Sequence, residues 1–128
     1  MKENQDTPIL TSAEAEVMNI VWDHSPTSVA DIVARLPRDL AYTTVMTTIR
    51  ILENKGFVVQ CGKRSRAFLY RAAIDRDSAQ GSMSLEVANR LFGGSLKSLV
   101  LNLVQDDAIS ADDLAEVKRL IEEIEGRK

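Results

Sequence analysis

The sequence contains one cysteine, Cys61, and one histidine, His24. A lone cysteine cannot close an intrachain disulfide, and it fits a reducing cytoplasm. One His and one Cys far apart in the chain do not make a zinc site or a catalytic dyad. There is no nucleophile–base pair, no phosphate-binding glycine loop and no cluster of metal ligands, so no enzyme, cofactor or metal is expected. No apolar run approaches the ~18 residues that a membrane span needs. No charged segment followed by an apolar one opens the chain, so neither a signal peptide nor membrane insertion is expected, and the expected location is cytoplasmic. His24 is read as a solvated residue just past the first helix, and Cys61 as a small strand residue.

Net charge is −3 over 128 residues, but its distribution is uneven. Residues 1–74 carry nine Lys/Arg against eight Asp/Glu, and residues 75–128 carry seven against eleven, leaving +1 and −4. Arg50 to Arg71 holds six basic residues and one acid, Glu53. Positive charge gathered on one segment is an electrostatic footprint for nucleic acid.

That segment follows an amphipathic helix. From Leu40 to Gly56, Val45, Ile49 and Leu52 recur at i, i+4 and i+7, an apolar stripe that must pack. Thr43, Thr47, Arg50 and Asn54 fall on the opposite side, flanked by Thr44 and Met46, with no acid on that face. Short hydroxyls, a guanidinium, an amide and methyl groups are what reads base edges and phosphates in a major groove. The plainer alternative is a solvated face on a core helix. Ala41 or Tyr42 must serve as N-cap, which leaves backbone amides open to a phosphate. Gly56 ends the helix at C′. Two β-prone runs, Phe57–Cys61 and Ala67–Ala72, then flank an expected turn that begins at Gly62 and carries Lys63, Arg64 and Arg66. A helix with a neutral-to-basic outer face followed by a basic hairpin is the layout of a winged helix-turn-helix.

In chain order, residues 1–9 are expected to be a disordered tail. Thr11 and Glu14 have capping-box spacing for a first helix with Ala13, Val17, Ile20 and Val21 inside and Trp22 as anchor. Ser28 with Asp31 starts a short second helix through Val29, Ile32, Val33 and Leu36, stopped by Pro37. The winged helix domain is assigned to 10–74. Asp75 to Ser78 opens a helix with a stripe through Ala79, Met83, Val87, Ala88 and Leu91, interrupted by Gly93-Gly94. Ser95 caps a helix carrying Leu96, Leu99, Val100, Leu103 and Val104, ended by Asp106-Asp107. Ser110 with Asp113 caps a last helix with Leu114, Val117, Ile121 and Ile124 at a/d spacing. Three short helices cannot bury such stripes alone, so residues 75–128 are read as a helical region that forms a homodimer. The expected class is mainly α with a small β-hairpin.

The chain resembles the penicillinase-repressor family of bacterial winged-helix regulators, the BlaI/MecI/CopY type. The resemblance rests on Leu10–Glu14 through Val21-Trp22, on Ala41–Val45 through Lys55-Gly56, and on Gly93–Ser95 through Asn102. It implies a homodimeric repressor bound to a palindromic double-stranded operator. It implies derepression by a signal such as a β-lactam, passed through a membrane-bound sensor protease that cuts the dimerisation domain after an Asn preceding an aromatic residue. The matching bond is Asn102–Leu103, with Leu103 at the aromatic position. A branch of the family senses copper or zinc through C-terminal cysteines, which this chain lacks. Ala41, Tyr42, Thr43, Thr44, Met46, Thr47 and Arg50 are the candidate groove-facing residues, and Lys63, Arg64 and Arg66 the candidate phosphate contacts. Release by a small ligand or by oxidation of Cys61, and a winged helix that binds only protein, are the alternatives.

Overall fold

The computed structural model describes residues 9–106 and 109–127; the tail expected at the N-terminus and Asp107 lie largely outside that range. Helix α1 spans Ser12–His24. Its capping box is complete: Thr11 Oγ1 accepts from the Glu14 amide at 3.2 Å, and Glu14 Oε1 accepts from the Thr11 amide at 3.0 Å. The buried arc runs through Glu14, Val17, Met18, Ile20 and Val21. Ala13, expected inside, is exposed. The inward stripe is Glu14, Val17, Met18 and Val21 at i, i+3, i+4 and i+7. A carboxylate can sit in it because Lys55 Nζ lies 2.7 Å away. His24 is the last helical residue rather than the first of the loop.

Helix α2 (Val29–Arg35) is capped by Ser28 Oγ, which accepts from the Asp31 amide at 3.1 Å. Helix α3 (Tyr42–Asn54) buries Val45, Ile49 and Leu52 completely, as their spacing predicts. It closes with two reversed hydrogen bonds, Phe57 N–H to Leu52 O at 2.9 Å and Gly56 N–H to Glu53 O at 3.1 Å. Gly56 at φ +86 makes this Schellman turn possible, and Phe57 packs inward beside Leu52.

Strands β1 (Val58–Arg64) and β2 (Ala67–Ala72) form one antiparallel pair. The turn is not at Gly62. Pairing continues to Arg64 opposite Ala67, and the chain reverses at Ser65-Arg66, with Ser65 at φ +59. Gly62 instead follows a bulge in which Cys61 is the extra residue, between the pairs Gln60–Tyr70 and Gly62–Leu69. A glycine in a β-prone run marks a bulge as readily as a turn. The hairpin is anchored at its base by Thr27 and Tyr70, which exchange backbone hydrogen bonds of 2.9 and 2.8 Å.

One core joins these elements: Val17, Met18 and Val21 of α1, Ile32 of α2, the α3 stripe, Phe57, Val58 and Tyr70. Helix α4 (Arg76–Leu91) begins on it, with Ala79 buried in the core and Met83 packed beside it. Trp22 Nε1 donates to Ile74 O at 2.9 Å, and the Arg76 guanidinium lies 5.3 Å over the indole ring. The first compact unit therefore runs through Met83.

The second unit holds the remainder of α4, α5 (Leu96–Gln105) and α6 (Ala111–Gly126). Ser95 and Ser110 cap α5 and α6, each accepting from the amide three residues on. Gly93 and Gly94 both take positive φ at the end of α4. Neither α5 nor α6 has a buried residue.

Candidate nucleic-acid interface

On α3, Ala41 has no side-chain cap for the helix, and Tyr42, Thr43, Thr44, Thr47 and Arg50 are exposed. Among the described residues Arg50 has no ion-pair partner, so its guanidinium is available. Two hydroxyls are already engaged: Thr47 Oγ1 donates to Thr43 O at 2.9 Å, and Thr48 Oγ1 to Thr44 O at 3.0 Å. The outer face of Thr47 is therefore left with a methyl group and oxygen lone pairs rather than a donor. Met46 is half-buried and packs partly on the core.

The hairpin tip carries the expected cations, in three different settings. Lys63 Nζ sits 4.8 Å over the Phe68 ring, which orients the ammonium while leaving it near solvent. Arg64 Nη2 is 2.6 Å from Asp31 Oδ2 on α2. That hydrogen bond, with the guanidinium charge behind it, holds the Asp31 carboxyl below the usual carboxylate range. Arg66 lines a cleft of about 250 Å³ between the starts of α2 and α3 and the hairpin, together with Ser28, Tyr42, Met46, Phe68 and Tyr70. Burial, and then the nearby Glu53 charge, push the Tyr70 phenol above its usual range. The fold thus brings the N-terminal half of α3 and the basic wing to either side of one cleft.

Sequence reasoning missed Asp31 and Phe68. Asp31 had a local use as a helix-start signal, and nothing in a separation of 33 residues announces its pairing with Arg64. Phe68 is apolar in a β-prone run and gave no sign that it would lie under Lys63.

In the second unit, Leu91 is 74% exposed and Val100 53%, and Leu96, Leu103, Ile121 and Ile124 are similarly open. Val117 is also exposed, while Val87, Leu99 and Leu114 are half-buried. Asn102 and Leu103 are exposed, but the bond between them lies inside α5. Cys61 is an exposed free thiol, and His24 Nε2 lies 3.4 Å from Arg35 Nη1. Among the described residues no group of acids, His and Cys is placed to hold a metal, and no helix is long and apolar enough to cross a membrane.

Three helices, a two-stranded wing and an acid-poor outer face on the third helix define a winged helix-turn-helix protein. Comparison with known proteins narrows the class. Residues 10–123 match the penicillinase repressor family, and the chain belongs to it. It is 30% identical over 123 residues to the penicillinase repressor of Bacillus licheniformis, covering 94% of this chain and 95% of that one. It is 31% identical over 114 residues to the methicillin resistance regulatory protein MecI of Mammaliicoccus sciuri, covering 88% and 92%. Among solved structures, the PcaV transcriptional regulator of Streptomyces coelicolor shares the fold, with a TM-score of 0.51 and 17% identity over 91% of this chain and 75% of that one. The Bacillus licheniformis BlaI monomer in complex with the blaP half-operator is 27% identical over 56% of this chain and 89% of that one, with a TM-score of 0.48.

Proposed function

We propose that the protein is a homodimeric transcriptional repressor that binds a palindromic operator through α3 and the wing. The observation that carries this is an uncapped, acid-poor α3 face set across one cleft from Arg66, on a hairpin tip that also carries Lys63 and Arg64. Helix α3 enters the major groove, where Thr43, Thr47 and Arg50 face base edges, and the wing cations meet flanking phosphates. Ala41 and Tyr42 leave the first amides of α3 for a phosphate. The likeness to penicillinase repressors and MecI supports the repressor role. Such a protein has no catalytic task and works in the cytoplasm, where its DNA is.

The exposed apolar residues of α5 and α6 support the dimer. Water-facing stripes of Leu, Ile and Val on two helices with no buried residue need a cover, and a second copy supplies an equal one. Release follows by cleavage at Asn102–Leu103 by a membrane-bound sensor protease responding to a signal such as a β-lactam. That bond is helical, so a protease must first unwind part of α5, and loss of the dimer contact on one side would help it do so.

The deciding experiment is binding of the purified protein to DNA from its own promoter region and to random DNA over a salt series. Tight, saturable binding to the promoter with a two-fold footprint and a steep salt dependence is the expected result. No binding to either DNA at low salt would overturn the reading.

A further inference from the structure

We infer that Asp31, on α2, tunes the phosphate affinity of the wing: it is an internal competitor that a DNA phosphate must displace before it can engage Arg64. The inference rests on the DNA-binding reading above. Arg64 is the last residue of β1, next to the turn, and its guanidinium spans from the wing tip to α2 to meet Asp31 at 2.6 Å. Both side chains stay accessible, Arg64 at 60% and Asp31 at 42%, so a phosphate oxygen can replace the carboxylate.

The pair is not needed to hold the wing in place. The base of the hairpin is already fixed by the two backbone hydrogen bonds between Thr27 and Tyr70 and by buried Tyr70 and Val58. The Asp31 carboxylate also accepts from Ser28 at the start of α2, a role that the Asn side-chain oxygen can keep, and the Asp31 amide donates to Ser28 Oγ whatever the side chain. What the pair does change is charge. A free arginine attracts any phosphate backbone, whatever its sequence. An arginine already matched to a carboxylate must leave it first, and the bared carboxylate then faces the duplex. Every DNA bears that cost equally. Operator and random binding therefore fall by the same factor, and only a sequence that also satisfies Thr43, Thr47 and Arg50 keeps enough affinity to stay bound.

Arg64 therefore differs from Lys63, which rests on the face of Phe68 and meets no acid among the described residues. The wing holds one cation in readiness and one in reserve.

The test uses the full-length protein and a random-sequence duplex at about 0.1 M salt, where surface charges act over roughly 10 Å. Asp31→Asn keeps the backbone amide and the side-chain shape, and its folding is checked by thermal unfolding. The expected result is about two- to fivefold tighter binding to the random duplex, the range an exposed ion pair provides. The salt slope becomes steeper by up to about one. In an Arg64→Gln background the same Asp31→Asn change has no effect, because no arginine is left to release. Unchanged or weaker binding by Asp31→Asn overturns the inference, as does equal tightening in both backgrounds, which would make Asp31 a plain negative charge near DNA. If the wild-type protein itself binds no duplex at low salt, the DNA reading falls and the inference with it. If the wild type binds and only the Asp31→Asn result fails, the DNA reading stands.

Discussion

Lys55 Nζ at the end of α3 lies 2.7 Å from Glu14 Oε1 in the first turn of α1, and the glutamate is buried. The same Glu14 oxygen accepts from the Thr11 amide, so one carboxylate caps α1 and fixes the far end of α3. Burial pulls the Glu14 carboxyl up, but the Lys55 and Thr11 hydrogen bonds and the Lys55 charge together hold it below its ordinary value of 4.5.

Lys55→Met leaves that carboxylate buried with the Thr11 amide alone, and is expected to destabilise the protein by about 1–3 kcal/mol at neutral pH. Because the folded pKa is depressed, the group's contribution is fully present above about 4.5 and is lost as pH falls through the folded value. Thermal unfolding of the wild type and Glu14→Gln across acidic pH checks this. The difference between the two proteins should shrink as the pH drops below 4.5. A constant difference would separate Glu14 from the acid limb.

Thr47 carries its hydroxyl hydrogen toward Thr43 O, so its contribution to base reading is expected to come from the methyl group. Thr47→Val keeps the methyl and the β-branched shape, and should bind the operator nearly as tightly as wild type. Thr47→Ser removes the methyl and should cost about 0.8 kcal/mol, roughly fourfold in affinity, if the methyl is buried on a thymine. Equal losses for Val and Ser in a binding titration would return the role to the hydroxyl.

Lys63→Gln removes a cation that no acid among the described residues opposes. Binding to operator and random DNA should weaken by the same factor, and the salt slope should fall by about one. A loss confined to the operator would mean that Lys63 reads a base rather than a phosphate.

Val100→Asp places a charge on the exposed apolar face of α5. Sedimentation equilibrium should find a dimer for the wild type and a folded monomer for the variant, with helix content retained. Its operator affinity should drop steeply, since one half-site then binds without its partner. A dimer that survives the change would place the interface elsewhere.

Much of the N-terminal unit was legible because its signals are local. Thr11 with Glu14 and Ser28 with Asp31 are caps set by a spacing of three residues, and both form. Val45, Ile49 and Leu52 follow the helical period and are all fully buried. The hairpin was legible in kind but not in detail: Gly62 looked like the turn and is at a bulge, because a glycine tolerates either backbone and only strand pairing chooses. Ala13 looked internal and is exposed, while Glu14, which showed itself only as a cap, is buried. A hydropathy pattern cannot foresee that Lys55, from the end of another helix, will neutralise the acid.

By itself the sequence determined the helix boundaries, the apolar stripes, the basic stretch from Arg50 to Arg71 and the family to which the chain belongs. Hydrogen bonds between near neighbours and the helical period settle these within a few residues. Tertiary structure alone decided the pairings between distant residues: Glu14 with Lys55, Asp31 with Arg64, Trp22 with Ile74. It decided, too, that α4 begins on the N-terminal core through Ala79 and Met83. Such contacts depend on where packing brings side chains together, and a distance along the chain carries no record of a distance across the core.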